Sequence, residues 1–228
     1  MNISTLTNKN NKSIRTEVYA KLRQEITGLK FEPGRAISEN EISKLLQVSR
    51  TPVREAFLRL SQEDLITVYP QKTSTVSLID LDHLEETRFM REHLEVAVTK
   101  LACELFSDAE IEKLNNTIKL QKECIEENRM KDFYGLDDQF HSIIFKECNK
   151  SRTWNIVQNM MSINFSRVRL LSLSEKLNTD TIISQHEEIV QAIKERDVVQ
   201  AEKVVRKHLS LVTIDYKELI KKFPSYFK

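Results

Sequence analysis

Apolar residues recur at helical spacing along nearly the whole chain and give way to β-branched runs only once. Ile14, Val18, Leu22, Ile26 and Leu29 line one face of a first predicted helix, closed by the turn Phe31-Glu32-Pro33-Gly34. Two short helices follow between Ala36 and Leu60. Ser38 is placed to cap the first, with Glu41 three residues on to complete a capping box. Ile42, Leu45 and Leu46 form its apolar stripe. Gln47-Val48-Ser49 reads as a tight turn with Val48 plugged between the helices. Ser49 or Thr51 caps the next helix, whose first turn tolerates Pro52. Val53, Ala56, Phe57 and Leu60 face inward, and Arg50, Thr51, Arg54 and Arg59 stay outside. Leu65–Tyr69 and Ser74–Leu78 then read as two strands joined by a polar turn containing Pro70 and Lys72. Helices followed by a hairpin make a winged helix-turn-helix.

From Asp80 onward the period is helical without interruption. Six helices are expected, at about 80–106, 107–128, 131–148, 153–174, 180–195 and 197–222. Ser107 with Glu110, and Asp197 with Gln200, are further capping boxes. Leu84, Thr87, Phe89, Met90, Leu94, Val98, Leu101, Ala102 and Leu105 mark the first of these helices. Short connections between six helices imply an antiparallel bundle. The expected fold is therefore mainly α, an N-terminal winged helix-turn-helix followed by an all-α bundle. The expected domains are a flexible segment at 1–12, a DNA-binding domain at 13–78 and a helical ligand-binding and dimerisation domain at 79–228.

Composition refines this picture. With 3 Gly and 4 Pro in 228 residues, a turn-rich β fold is excluded. Net charge is only +1, so any affinity for DNA comes from a local basic patch and not from a global field. Residues 9–59 are rich in Lys and Arg, and residues 80–127 in Asp and Glu. No signal-peptide pattern and no apolar run long enough to cross a membrane is present, which points to a cytoplasmic protein. Cys103, Cys124 and Cys148 lie far apart on helical patterns and read as buried free thiols; a thiol redox switch is the alternative.

Two constellations carry chemistry. The outward arginines of the second short helix suit a recognition helix, because a guanidinium grips guanine O6 and N7, or a phosphate, with two hydrogen bonds. In the bundle, Asp137 and His141 are one turn apart on the same face, and His186 and His208 lie on the fifth and sixth helices. Spacing alone leaves two readings open. The three imidazoles and the carboxylate are either a satisfied polar core or the ligands of Zn²⁺, Ni²⁺, Mn²⁺ or Fe²⁺.

The run PGRAISENEI…VSRTPVREA and the hairpin LITVYPQKTSTVSL resemble the winged-helix domain of GntR-type transcriptional regulators. The words TRFMREHLEVAVTKLA, LDDQFHSIIF and QHEEIVQAIKERDVVQAEKVVRKHL resemble the FCD effector domain of the FadR subfamily. The first resemblance implies DNA contact by Arg35, Arg50 and Arg54, with Thr51 beside them; Ser49 at the start of the recognition helix and Lys72 near the tip of the hairpin are added from the sequence pattern. Asp64 and Ser74 stand where the family usually has glycine, and Asn40 stands where some relatives carry an arginine. The second implies a divalent metal, zinc foremost, held by Asp137, His141, His186 and His208, with a small organic acid as effector. An arginine near such a metal can hold a second carboxylate. Arg88, Arg91, Asn164, Arg167 and Arg169 are the candidates, with an Arg91–Glu95 bridge as the competing use of Arg91. The function implied is a homodimeric regulator of a palindromic double-stranded operator, with no membrane partner. The competing readings are a metal-independent effector pocket of the acyl-CoA kind and a metal-dependent enzyme. Against the enzyme, no residue is placed as a general base and no nucleophile motif is present, so the expected protein is not an enzyme.

Overall fold

The computed structural model describes residues 11–69, 73–158 and 163–228. Among these the chain forms two compact units. One runs to Asp80 and takes in Phe223–Lys228; the other is Leu81–Lys222.

The N-terminal unit contains α1 (Asn11–Thr27), β1 (Ala36–Ile37), α2 (Glu39–Leu46), α3 (Arg50–Gln62), β2 (Ile66–Thr67) and β3 (Ser74–Val76). Val18, Leu22 and Ile26 of α1 are buried with Ile42 and Leu46 of α2 and with Val53, Ala56, Phe57 and Leu60 of α3. These are the apolar positions that the helical period marks out. Arg50, Thr51, Arg54 and Arg59 are exposed. The two wing strands are paired antiparallel, Ile66 opposite Val76 and Thr67 opposite Thr75. The pattern did not reveal β1, which pairs with β3 through Ala36–Thr75 and Ile37–Ser74 and makes β3 the central strand. Its two residues are too few to show alternation. The Ser38 capping box is half formed. Ser38 accepts from the Glu41 amide at 3.1 Å, but the Glu41 carboxylate is taken by Arg35 at 2.9 Å. Asp64 ends α3 at φ +54°, a left-handed conformation that glycine adopts freely and aspartate tolerates. The turn at Asp64 is thus made without the usual glycine.

Gly34 has φ +80°, and a Cβ there would stand 3.4 Å from Leu78 Cδ2. Its amide donates to Val76 O at 2.8 Å, which anchors the turn that presents Arg35. Gly34→Ala is expected to destabilise the N-terminal unit by about 1–2 kcal/mol, the cost of a left-handed L-residue. A urea titration with no shift in midpoint would contradict that role.

The tail Phe223–Lys228 packs in this same unit. Ile79 bridges Phe227 in parallel, its amide donating to Tyr226 O at 2.8 Å, and Lys228 N donates to Ile79 O at 3.0 Å. Lys228 Nζ also lies 3.0 Å from Asp80.

The second unit holds α4 (Leu81–Leu105), α5 (Asp108–Glu126), α6 (Met130–Glu147), α7 (Ser151–Ile156), α8 (Ile163–Ser174), α9 (Thr179–Lys194) and α10 (Val198–Lys222). The expected fourth bundle helix is represented by α7 and α8, with residues 159–162 outside the described residues. The Ser107 capping box of α5 is complete, and Asp197 accepts from Val199 N and Gln200 N at the start of α10. Helices α4 and α10 run antiparallel, laced by Lys100–Glu202, Arg206–Glu92 and Thr213–Glu85. On α4 the buried positions Thr87, Arg91 and Glu95 follow at four-residue steps, so this helix turns polar groups inward. Phe89, expected with the apolar set, is two residues off that line and 59% exposed; its ring packs on His93. Cys103, Cys124 and Cys148 are buried free thiols whose pKa values burial raises. None of the described helices is long and apolar enough to cross a membrane.

Candidate DNA-binding face and candidate metal centre

Helix α3 projects its basic residues into a groove of about 440 Å³. Its lining includes Ser38, Asn40, Arg50, Arg54, Leu58 and Tyr69. Asn40 Oδ1 accepts from Arg50 Nη2 at 2.9 Å, so the amide that replaces a basic side chain here orients a neighbouring guanidinium. Arg54 projects from α3 one turn further on. Ser49 occupies the N-cap of α3 without a side-chain capping bond, which leaves its hydroxyl for other use. Arg35 lies over the Phe31 ring at 4.4 Å and pairs with Glu41. Arg59, on the opposite flank, lies 3.7 Å from the Tyr19 ring centroid. Lys72 lies outside the described residues.

In the helical unit, Asp137 and His141 of α6, His186 of α9 and His208 of α10 converge. One ligand atom from each lies within 4.8 Å of all the others, and all four residues are buried. The outer side of each imidazole is held. His141 Nδ1 lies 2.8 Å from Glu95 Oε2, His186 Nδ1 3.0 Å from Gln121 Oε1, and His208 Nδ1 3.1 Å from Gln185 Oε1. With an oxygen as partner, each Nδ1 carries a proton, so each Nε2 of a neutral ring turns a lone pair inward. His208 Nε2 then faces His141 Nε2 at 3.3 Å, while His186 Nε2 is buried without a hydrogen bond, 3.6 Å from Asp137 Oδ1. Lone pairs brought this close repel unless a proton or a cation lies between them. The set fits a divalent ion with nitrogen and oxygen ligands at about 2.0–2.2 Å.

Electrostatics keep two of the three imidazoles in the neutral form a metal needs and favour a proton on the third. Burial lowers the His186 pKa to about 3 and carries that of His208 well below its ordinary value, keeping both neutral. Burial also disfavours charge on His141, but the Glu95 carboxylate outweighs it and raises the pKa. Glu95 sits at about 2: burial opposes its charge, and Arg91 and His141 overcome that. Asp137 is likewise held low, against burial, chiefly by Arg169.

A small cavity adjoins these donors, lined by Arg91, Asp137, His141, Phe165, Arg169 and His208 with apolar residues of α10. It encloses about 10 Å³, room for about one water molecule. Arg91 donates to Glu95 from both Nε and Nη2 at 2.8 and 2.7 Å, so the bridge forms even though Arg91 lines the cavity. Arg169 lies between Asp137 at 3.5 Å and Asp215 at 3.8 Å. The other three candidates are not in the lining. Arg88 pairs with Glu85 and Glu92, Asn164 bonds His83 at 3.0 Å, and Arg167 is fully buried, donating to Asn164 with its pKa lowered to about 10 by burial. Glu95, Gln121, Gln185 and Asp215 are parts of the site that sequence reasoning missed as such. For Gln121 and Gln185, a polar side chain on an otherwise inward helix face was the available signal.

A basic recognition helix with a wing, in a chain that also holds a helical unit with a buried histidine cluster, is the plan of a DNA-binding transcriptional regulator. Residues 14–76 match the family "Bacterial regulatory proteins, gntR family", and residues 86–211 match the FCD domain. An HTH-type transcriptional regulator from an unstable DNA locus of Streptomyces ambofaciens is 32% identical over 219 residues, covering 96% of this chain and 91% of that protein. The HTH-type transcriptional repressor RspR of Escherichia coli K12 is 28% identical over 214 residues, covering 94% of this chain and 93% of RspR. The solved structure of E. coli McbR/YncC shares the fold, with a TM-score of 0.73 at 19% identity over 90% of this chain and 98% of that one. The chain belongs to the GntR family of transcriptional regulators and carries an FCD domain.

Proposed function

We propose that this regulator holds one divalent metal ion, zinc in the first instance, through Asp137, His141, His186 and His208, and that a small organic acid bound beside it alters affinity for DNA. The observation that carries the reading is the convergence of three imidazole Nε2 atoms and one carboxylate, each ring locked from behind through Nδ1. Outer partners that fix tautomer and orientation in this way are what metal-binding histidines need. When bound, the ion supplies positive charge and an open position for a carboxylate oxygen. The chain's own residues orient the ligands and exclude water around them.

On the DNA side, Arg35, Arg50 and Arg54 contact the operator with Ser49 and Thr51, and Asn40 steadies Arg50. Lys72 is assigned to the wing tip by the strand–turn–strand pattern of the sequence, and the FadR subfamily by resemblance alone. The protein acts as a homodimer in the cytoplasm, since two recognition helices about one DNA turn apart read a palindromic pair of half-sites. The site is given no enzymatic role.

The test selects a binding sequence from random duplexes, then titrates small carboxylates against the metal-loaded protein on that DNA. An effective acid is expected to change DNA affinity by about 5–150-fold, the usual range of coupling between two sites. Acids that bind tightly and leave DNA affinity unchanged would remove the coupling. Chelation offers a second check. At a metal concentration about a thousand times its Kd, binding adds about 4 kcal/mol to stability. Stripping the ion is therefore expected to lower the melting temperature by about 8 °C or more. A metal-independent polar core would show no drop.

A further inference from the structure

The proposed anion site has an acidic neighbour that neither motif includes. Asp215 lies seven residues beyond His208 on α10, two turns along the same face, and is 1% exposed. The Ser172 hydroxyl donates to Oδ2 and the Asn178 amide to Oδ1 at 2.6 Å. Thus fixed, Oδ2 faces Arg169 Nη1 at 3.8 Å, while Arg169 Nη2 reaches toward Asp137. Arg91 is paired with Glu95 in the same way. Both cavity arginines therefore already have protein carboxylates as partners.

Charge then restricts the ligand. Arg91, Arg169 and a divalent ion bring four positive charges, and Asp137, Glu95 and Asp215 bring three negative ones. Glu95 and Asp215 are counted as the ion-pair partners of the two lining arginines; Asp138, next in sequence, accepts from Gln158 and forms no ion pair with either arginine. The surplus among these paired groups is one charge. A second carboxylate on the ligand would meet an Arg169 already faced by Asp215. Resting on the metal-and-acid reading above, we infer that Asp215 is a specificity-determining residue that limits the site to a small monocarboxylate.

The experiment loads the full chain with Zn²⁺, verifies metal content, and measures acetate and malonate binding by calorimetry for the wild type, Asp215→Asn and Asp215→Glu. The wild type binds acetate more tightly than malonate. In Asp215→Asn, with metal content unchanged, the affinity ratio moves toward malonate by about tenfold, the scale of one charge removed at about 10 Å in an interior of effective dielectric about 20. Asp215→Glu keeps the wild-type ratio. If Zn²⁺ and acetate bind but the ratio does not move, or both anions weaken equally, the role of Asp215 is refuted while the metal-and-acid reading stands. If the wild type binds no Zn²⁺, or binds neither anion, the underlying reading fails and takes this one with it. Should Asp215→Asn fail to fold, Asp215→Ser carries the same expectation.

Discussion

Arg54→Ala should weaken binding to the selected operator by about 1–3 kcal/mol and relax preference at one base pair, if its guanidinium grips a guanine edge. Arg54 is exposed on the outer face of α3 and lines the groove that also contains Arg50. The inner face, Val53, Ala56, Phe57 and Leu60, is buried, so the substitution leaves the core untouched. Fold stability is therefore expected to stay within about 0.5 kcal/mol of wild type. Competition binding against a panel of single-base operator variants at two salt concentrations measures the effect. A phosphate contact would instead preserve sequence preference and reduce the salt slope by about one. Unchanged affinity at both salts would remove Arg54 from the interface. Arg50 differs in being held by Asn40, so Asn40→Ala is a milder perturbation of the same surface.

His186→Ala should abolish the stabilisation that metal confers, about 4 kcal/mol at a thousandfold excess over Kd, and leave the metal-loaded and stripped proteins with the same melting temperature. His186 is fully buried, and its Nε2 has no hydrogen bond among the described residues, so removing the ring removes a proposed ligand without breaking an inward hydrogen bond. The substitution does open a cavity beside Phe140, whose ring stacks on His186 at 4.0 Å, and it strips Gln121 of a partner. The stripped variant is thus itself less stable than the stripped wild type, and the comparison must be made within each protein. Persistence of a full metal-dependent shift in His186→Ala would show that the ligand set is wrong.

Much of the architecture was legible because its signals are local. The stripe Val18–Leu22–Ile26, the Ser107 capping box and the Asp197 cap each depend on residues within one or two turns. The outer bounds of the bundle helices were legible to within two residues, even though the usual glycine is missing from their ends. Asn128, Asn149, Lys176, Asn178 and Arg196 all take left-handed φ values near +55°, and several close their helices with the bonds a glycine cap would make, as Arg129 N does to Cys124 O and Lys150 N to Phe145 O. The tail 223–228 was read as the end of the helical domain. Its pairing with Ile79 joins residues almost 150 positions apart, and no local pattern encodes it.

The site divides along the same line. Asp137 and His141 share a helix face that spacing alone identifies, His186 and His208 fall among inward-tending positions of two other helices, and the resemblance favoured a metal site over a polar core. Of the supporting residues, Glu95 and Gln121 come from α4 and α5, Gln185 is next to His186 on α9, and Asp215 lies two turns beyond His208 on α10. They acquire meaning only once the helices are packed and each is found behind an imidazole or a guanidinium. The effector candidates show the reverse error. Arg88, Asn164 and Arg167 are near the site in sequence terms, yet each is committed to a neighbour away from the cavity lining.

The most direct measurement is the metal content of the full-length protein, purified without an affinity histidine tag or chelator and assayed by elemental analysis. The account predicts about one divalent ion per chain, retained through dialysis. A chain that holds none, even after reconstitution with Zn²⁺, Ni²⁺, Mn²⁺ and Fe²⁺, would contradict it and leave the buried histidines as a polar core.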